Sequence, residues 1–203
     1  MIRVLKVRAL PFHLLLLVAL APLTAAIAAP ARAADFDLAK LNDGGYVLLL
    51  RHVTAGGVDS DDLVLADCRT QRQVGATGRA QVADLAARLR AAGITSARVL
   101  SSQWCRALQT AELLGLGPVL GTPELNYFHW RLDSEEATKA TLRNFYSALE
   151  PPAPGTPLVL VSHVTAFHAM ELEAPPEGGG LVLRPNGTTN PQVVGAVSAP
   201  RTP

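Results

Sequence analysis

The sequence predicts a layered α/β domain built around a parallel sheet, and three features carry that reading. Tyr46-Val47-Leu48-Leu49-Leu50 is a run of apolar or aromatic residues without alternation, and Leu158-Val159-Leu160-Val161 is a second. A strand is apolar on both of its sides when both faces of its sheet are covered, the condition of parallel sheets. Segments with the 3.6-residue period of helices lie between the two runs, and strands alternating with helices are the order of an α/β fold. Each run also stops at a histidine, His52 after Arg51 and His163 after Ser162. Ligands of open α/β sheets bind beyond the carboxyl ends of the strands. Two parallel strands ending in this way aim two imidazoles at one crevice.

The chain opens with a basic segment, Arg3, Lys6 and Arg8, followed by an apolar stretch from Leu14 to Ile27 and an A-x-A site at Ala31-Arg32-Ala33. That is the pattern of a secretory signal peptide, with residues 1–33 removed and Ala34 as the mature N-terminus. Pro22 and the small residues after it favour cleavage over a retained membrane anchor, and no cysteine stands at the cleavage site to receive lipid. Residues 34–203 are then read as one domain with a short disordered C-terminal tail, long enough for a sizeable core. Removing Arg3, Lys6, Arg8 and Arg32 from the 18 basic residues leaves 14 against 17 acidic ones, a formal charge of about −3. Such a balance gives no nucleic-acid surface, and no membrane span is expected after cleavage. Nothing in the pattern specifies an oligomeric state.

Asp35 to Asp43 is a lead-in, and Asn42-Asp43-Gly44-Gly45 a turn into the first strand. The loop from Val53 to Val74 contains Asp59-Ser60-Asp61-Asp62. These acids are read as solvated surface, because a calcium loop requires a longer ligand pattern. Thr77 to Ala92 is predicted as a helix, with Val82, Leu85, Ala86 and Leu89 on one face, Thr77 as its cap and Gly93 at its end. A short strand, Ala97 to Leu100, precedes a second helix from Gln103 to Leu114, capped by Ser101-Ser102. Its apolar stripe is Trp104, Ala107, Leu108 and Ala111, while Arg106 and Thr110, four apart, share another face. Val119-Leu120 is a short extended piece. A third helix opens at Asp133, with a capping-box-like pair of Asp133 and Glu136, and runs to Leu149 with Leu142, Phe145, Tyr146 and Leu149 buried. Pro151 to Gly155 is a surface loop. After the second histidine strand come a short helix from Val164 to Leu172, a glycine-rich turn at Glu177 to Gly180, and two late strands, Leu181–Leu183 and Gln192–Val197, forming a hairpin around Asn186-Gly187.

The two cysteines, Cys68 and Cys105, lie beyond the signal segment. An even count permits one disulfide in an oxidising compartment, the alternative being two buried thiols. The bridge is expected, since it would tie the loop returning from His52 to the segment carrying Arg106. A metal site built from these cysteines with His52 and His163 matches no zinc spacing, so no metal is expected. His129 is read as a pocket-edge or surface residue and His168 as a helix residue.

Leu50-Arg51-His52 resembles the R-H-G signature of the histidine phosphatase (phosphoglycerate mutase-like) superfamily. Ser101-Ser102-Gln103-Trp104-Cys105-Arg106-Ala107-Leu108-Gln109-Thr110-Ala111 resembles its S-S-x-x-x-R-x-x-x-T-A segment, and Val159 to His163 the strand that delivers its second histidine. Asp67-Cys68-Arg69-Thr70-Gln71-Arg72 with Gly78-Arg79-Ala80-Gln81 is similar to a secreted branch. The resemblance implies a three-layer fold with a mostly parallel central sheet flanked by helices. It also implies a periplasmic or secreted hydrolase of small phosphomonoesters, phosphorylated metabolites or envelope sugar phosphates, working without metal or other cofactor. His52 would be the nucleophile that forms a phosphohistidine. Arg51 and Arg106 would clamp the phosphoryl oxygens, and His163 would complete the phosphate pocket. An exported chain meets few glycolytic intermediates, which disfavours a phosphomutase.

Two positions depart from the family pattern. Val53 replaces the glycine after R-H. Leu125-Asn126 is followed by Tyr127 where the family usually carries a glutamate that protonates the leaving group. Glu124 is the nearest carboxylate in the sequence, while Asp133, Glu135 and Glu136 are read as helix-start charges. The missing glutamate favours an alternative, a non-catalytic phosphate-sugar binding protein that kept the pocket.

Overall fold

Alternate residues of the first strand go to opposite sides of the sheet, which accounts for its unbroken apolar run. In a computed structural model, which describes residues 35–128 and 133–200, strand β1 is Val47–Arg51. Leu48 and Leu50 enter one buried cluster with Val99, Val159, Val161 and Val182. Val47 and Leu49 enter a second with Leu100, Leu158, Leu160 and Leu183. A period-2 strand buried on both faces needs this composition. The signal-peptide segment and His129 lie outside the described residues.

Six strands form the central sheet in the order β5-β4-β6-β1-β7-β8. Strands β4 (Arg98–Ser101), β5 (Val119–Gly121) and β6 (Leu158–Ser162) run parallel to β1. The late hairpin, β7 (Gly180–Arg184) and β8 (Gln192–Val197), adds antiparallel strands at one side. A two-stranded ribbon, β2 (Ala55–Gly56) with β3 (Gln73–Val74), folds the loop after His52 back on itself.

Helices cover both faces. On one side lie α1 (Ala76–Ala91), contributing Val82, Leu85, Ala86 and Leu89, and α2 (Cys105–Leu114), contributing Ala107, Ala111 and Leu114. On the other lie α3 (Glu135–Ser147), with Leu142 and Tyr146, and α4 (Val164–His168), with Ala166 and Phe167. The buried Tyr146 hydroxyl donates to the Ala166 carbonyl at 2.8 Å, and burial holds its phenol well above the ordinary range. The result is the expected three-layer α/β fold, and all the described residues belong to one compact unit. No helix among them is long and apolar enough to cross a membrane.

The helix starts differ from the sequence reading. Gly75 is the N-cap of α1, with no side-chain cap, and Thr77 lies inside the first turn. Helix α2 begins at Cys105 rather than Gln103, because the Ser102 hydroxyl accepts the Trp104 N–H at 3.2 Å ahead of the helix. Leu108 is only half-buried. Ser134 caps α3 by accepting the Ala137 N–H, while Asp133 accepts the N–H of Ser134 at 2.7 Å. No capping box with Glu136 forms. Helix α4 stops at His168, short of Leu172.

Candidate active site

Strands β1 and β6 pair in parallel with Leu50 opposite Val161 and Arg51 opposite Ser162. The next residue on each, His52 and His163, therefore leaves the sheet beside the other, and their ring centroids are 5.1 Å apart. Strand β4 flanks β6 with Ser101 opposite Val161. This register places Ser102 against His163 and starts α2, with Arg106 in its first turn, at the same sheet end.

The hydrogen bonds define the state of His52. Its Nδ1 is 2.8 Å from the Val53 carbonyl, an acceptor only, so Nδ1 carries the proton. Nε2 then keeps its lone pair, and the Arg106 Nε–H donates to it at 3.2 Å. Burial lowers the His52 pKa to about 3, aided by the charges of Arg106, Arg51 and Arg72 and opposed by the Val53 carbonyl. The imidazole is neutral at physiological pH, and its Nε2 lone pair accepts from a guanidinium. Burial likewise holds His163 well below the usual histidine range, with Arg106 the next cause. The Ser102 hydroxyl donates to Asn126 Oδ1 at 3.1 Å and so accepts from His163 Nε2 at 2.8 Å. His163 Nδ1 is buried without a partner, as is Arg51 Nε. Unpaired buried polar atoms are costly; a ligand oxygen would satisfy Arg51 Nε–H, whereas His163 Nδ1, the lone-pair nitrogen of this tautomer, takes only a donor such as a hydroxyl.

Among the described residues, three guanidiniums surround the histidines. Arg106, 3 % exposed, also faces Asp59 and lies over the rings of Trp104 (4.6 Å) and Tyr127 (5.6 Å). Burial lowers its pKa to about 10, against the opposing charge of Asp59, so it stays cationic at neutral pH. Arg51 donates to the Pro175 carbonyl at 3.0 Å and lies 4.0 Å from Glu177. Arg72 donates to the Ala55 carbonyl at 2.7 Å and lies 3.6 Å from Glu177. Thr110, on the Arg106 face of α2, accepts the Val53 N–H at 3.2 Å and donates to the Arg106 carbonyl at 2.7 Å. It thereby joins the backbone after His52 to the helix. Val53 buries its side chain in the core. Among the described residues only Glu171 is a non-glycine with positive φ, so Val53 replaces the family glycine without strain.

No protein-family model and no curated protein matches the sequence. Solved structures match the fold. The protein histidine phosphatase SixA complexed with tungstate is 18% identical, covers 75% of this chain and 96% of its own, and superposes with a TM-score of 0.53. A mycobacterial glucosyl-3-phosphoglycerate phosphatase in complex with VO3 is 17% identical over 76% of this chain and 99% of its own, with a TM-score of 0.57. A protein described as mycobacterial hydrolase 1 is 18% identical over 76% and 99%, with a TM-score of 0.58.

The chain has the histidine phosphatase fold.

On that fold the four residues read from the sequence, Arg51, His52, Arg106 and His163, converge at one end of the sheet. Three further charged residues join them that sequence reasoning missed. Its acidic run predicts solvated surface for Asp59. Instead it accepts the Arg72 N–H at 2.8 Å and sits 3.4 Å from Arg106 Nη1, because the ribbon folds its loop back over the site. Arg72 stands in the Asp67–Arg72 segment that the resemblance singled out, but nothing local marks its direction. Glu177 precedes the glycines that run along the end of β1. The Gly178 N–H donates to the Arg51 and His52 carbonyls at 3.2 and 3.0 Å, and its φ of +83° suits glycine.

Cys68 and Cys105 form the expected disulfide. It ties the short 3-10 turn Cys68–Thr70 to the start of α2. Tyr127, at the position of the family glutamate, has its ring 5.5 Å from that of His163. Glu124 is exposed in the 3-10 turn Pro123–Leu125. It lines a cleft of about 240 Å³ with Trp104, Asn126 and Tyr127. His168 is exposed at the end of α4. A larger cleft, about 590 Å³, lies by Arg98 and Leu158 at the amino ends of β4 and β6, the opposite end of the sheet from the histidines.

Proposed function

We propose that this chain is an exported phosphomonoesterase that works through a phosphohistidine on His52. The observation that carries the reading is the His52 ring itself. Its Nδ1–H is held by the Val53 carbonyl, and its neutral Nε2 is buried against Arg106. In the first step the Nε2 lone pair attacks phosphorus. The N–P bond forms as the ester P–O bond breaks and the alcohol leaves with a proton. In the second step water attacks phosphorus, the N–P bond breaks, and phosphate departs. Arg51 and Arg106 bind the phosphoryl oxygens through planar donor pairs. Arg51 Nε–H, unpartnered among the described residues, is an added donor for such an oxygen. The transferring phosphoryl is stabilised by positioned charge rather than by further covalent chemistry. These cations supply the electrostatic role that a metal ion fills elsewhere, so turnover is expected to survive EDTA.

Two folds like this one belong to a protein histidine phosphatase and a glucosyl-3-phosphoglycerate phosphatase; both support a phosphatase, and the second supports a small phosphorylated metabolite such as a sugar phosphate as substrate. Export is supported by the N-terminal signal pattern and by the disulfide. Residues 34–203 are the mature domain in this reading.

The test is a phosphatase screen across sugar phosphates and small phosphomonoesters, with acid-labile, alkali-stable label scored on quenched enzyme. His52→Ala is expected to lose both label and turnover. Turnover surviving in that variant would refute the phosphohistidine. Tyr127 in place of the family glutamate favours a second reading, a phosphate-sugar binding protein without turnover. Folded protein that binds phosphate esters yet hydrolyses none would establish it.

A further inference from the structure

The family glutamate is absent, yet an alcohol leaving group needs a proton. We infer that Asp59 supplies it, an assignment that rests on the phosphomonoesterase reading above. Among the described residues, Glu177 lies against His52 and Asp59 against Arg106, and the geometry separates them by side. Glu177 lies 4.0 Å from His52 Nδ1, the nitrogen already committed to the Val53 carbonyl. Asp59 lies beyond the other nitrogen. Arg106 Nε touches His52 Nε2 at 3.2 Å, and Nη1 of the same guanidinium is 3.4 Å from each Asp59 oxygen. The phosphorus must approach Nε2, the side that Asp59 reaches through Arg106, whereas Glu177 lies against Nδ1 and is held by Arg51 and Arg72.

Asp59 is also held in place. Its Oδ1 takes the Arg72 N–H at 2.8 Å, and Ser60, next in the chain, donates its N–H to the Thr70 carbonyl at 2.8 Å. The disulfide ties this stretch to the helix that carries Arg106. The Asp59 side chain is 22 % exposed, buried enough to be oriented and open enough to exchange protons with water. Among the described residues, Oδ2 faces Arg106 Nη1 at 3.4 Å. When a phosphoryl group arrives, Arg106 donors turn to its oxygens. Oδ2 then faces the phosphoryl group and takes over the proton that the substrate monoanion carries on a phosphoryl oxygen.

The steps balance. As Nε2–P forms and P–O breaks, the Asp59 proton passes to the ester oxygen, releasing a neutral alcohol. Asp59, now a carboxylate, then takes a proton from the attacking water as O–P forms and Nε2–P breaks. His52 returns to its starting tautomer.

The test is Asp59→Asn with two esters. General acid catalysis contributes about 10²–10⁴-fold, so kcat/KM for an alkyl ester such as a sugar phosphate should fall by at least about 100-fold. Nitrophenolate leaves without a proton, so its first, product-releasing phase should slow by less than about 10-fold. Because the same carboxylate activates water, phosphoenzyme should accumulate in the variant during turnover of p-nitrophenyl phosphate. Asp59→Glu should restore part of the alkyl-ester rate. Equal losses on both esters would overturn the assignment, making Asp59 a positioning residue for Arg106. So would no loss on either, or the leaving-group-selective loss appearing in Glu124→Gln or Glu177→Gln instead. Failure of the phosphomonoesterase reading looks different: wild type then hydrolyses neither ester and leaves no label on His52, and the Asp59 assignment falls with it.

Discussion

Removing the disulfide tests how the site loop is held. The perturbation is Cys68→Ser with Cys105→Ala, compared with wild type reduced by dithiothreitol. The bridge closes a sequence separation of 37 residues. The chain-entropy relation then gives a loss of about 13 cal/mol/K from the unfolded ensemble, about 4 kcal/mol at 25 °C. Against a typical domain stability of about 5–15 kcal/mol this is a large fraction. For a domain of this size each 1 kcal/mol moves Tm by about 2–4 °C, so the unbridged protein should melt about 8–16 °C lower. Polar contacts that survive keep the loop docked at low temperature. The Cys105 N–H donates to Gln71 Oε1 at 3.0 Å, and the Val74 N–H to Gln109 Oε1 at 2.8 Å. Turnover at 20–25 °C should therefore persist, while half-life on heating falls. The assay is thermal unfolding followed by far-UV circular dichroism, with and without reductant. A Tm within about 2 °C of the oxidised wild type would refute the entropic reasoning, since so small a shift leaves less than about 1 kcal/mol for the bridge.

Stability should fall in mild acid. His52 titrates near 3 when folded and near 6.5 when unfolded, so between those values the unfolded chain binds the extra proton. This stabilisation is full above pH 6.5 and is lost as pH falls toward 3, amounting to about 2 kcal/mol by pH 5. His163 adds in the same direction. Urea unfolding at pH 7.5 and 5 should show the loss, smaller in His52→Asn; an identical slope in that variant would contradict it. Gly180→Ala should destabilise by about 1–3 kcal/mol, because its Cβ would meet the Leu49 carbonyl at 2.5 Å and Leu50 Cδ2 at 2.8 Å. A change under about 0.5 kcal/mol in urea would show that β1 and β7 yield. EDTA dialysis should leave the phosphatase rate unchanged, and a rate restored only by an added divalent cation would assign a metal a role that the guanidiniums do not fill.

What the sequence determined about this protein is what local chemistry can encode. The unalternating runs at Tyr46–Leu50 and Leu158–Val161 require a sheet covered on both faces, and their ends place His52 and His163 at one rim. The stripe of Val82, Leu85, Ala86 and Leu89 required a helix packed against that sheet, and all four are buried. The start of α2 was less legible because the hydroxyl expected to cap it is engaged ahead of the helix. Ser102 receives His163 Nε2 and the Trp104 N–H, so α2 begins later than the serines suggest. Only the tertiary structure decided the charge pattern of the site. Asp59 sits in an acidic run that reads as surface in any local window. It turns inward because a ribbon, an Arg72 N–H and a disulfide fold its loop over Arg106. Glu177 is 125 residues from His52 and reaches it because Gly178 bonds to the backbone at the end of β1. A buried strand is specified by its own side chains, whereas the direction of a charged loop residue is set by distant backbone partners, which no stretch of sequence contains.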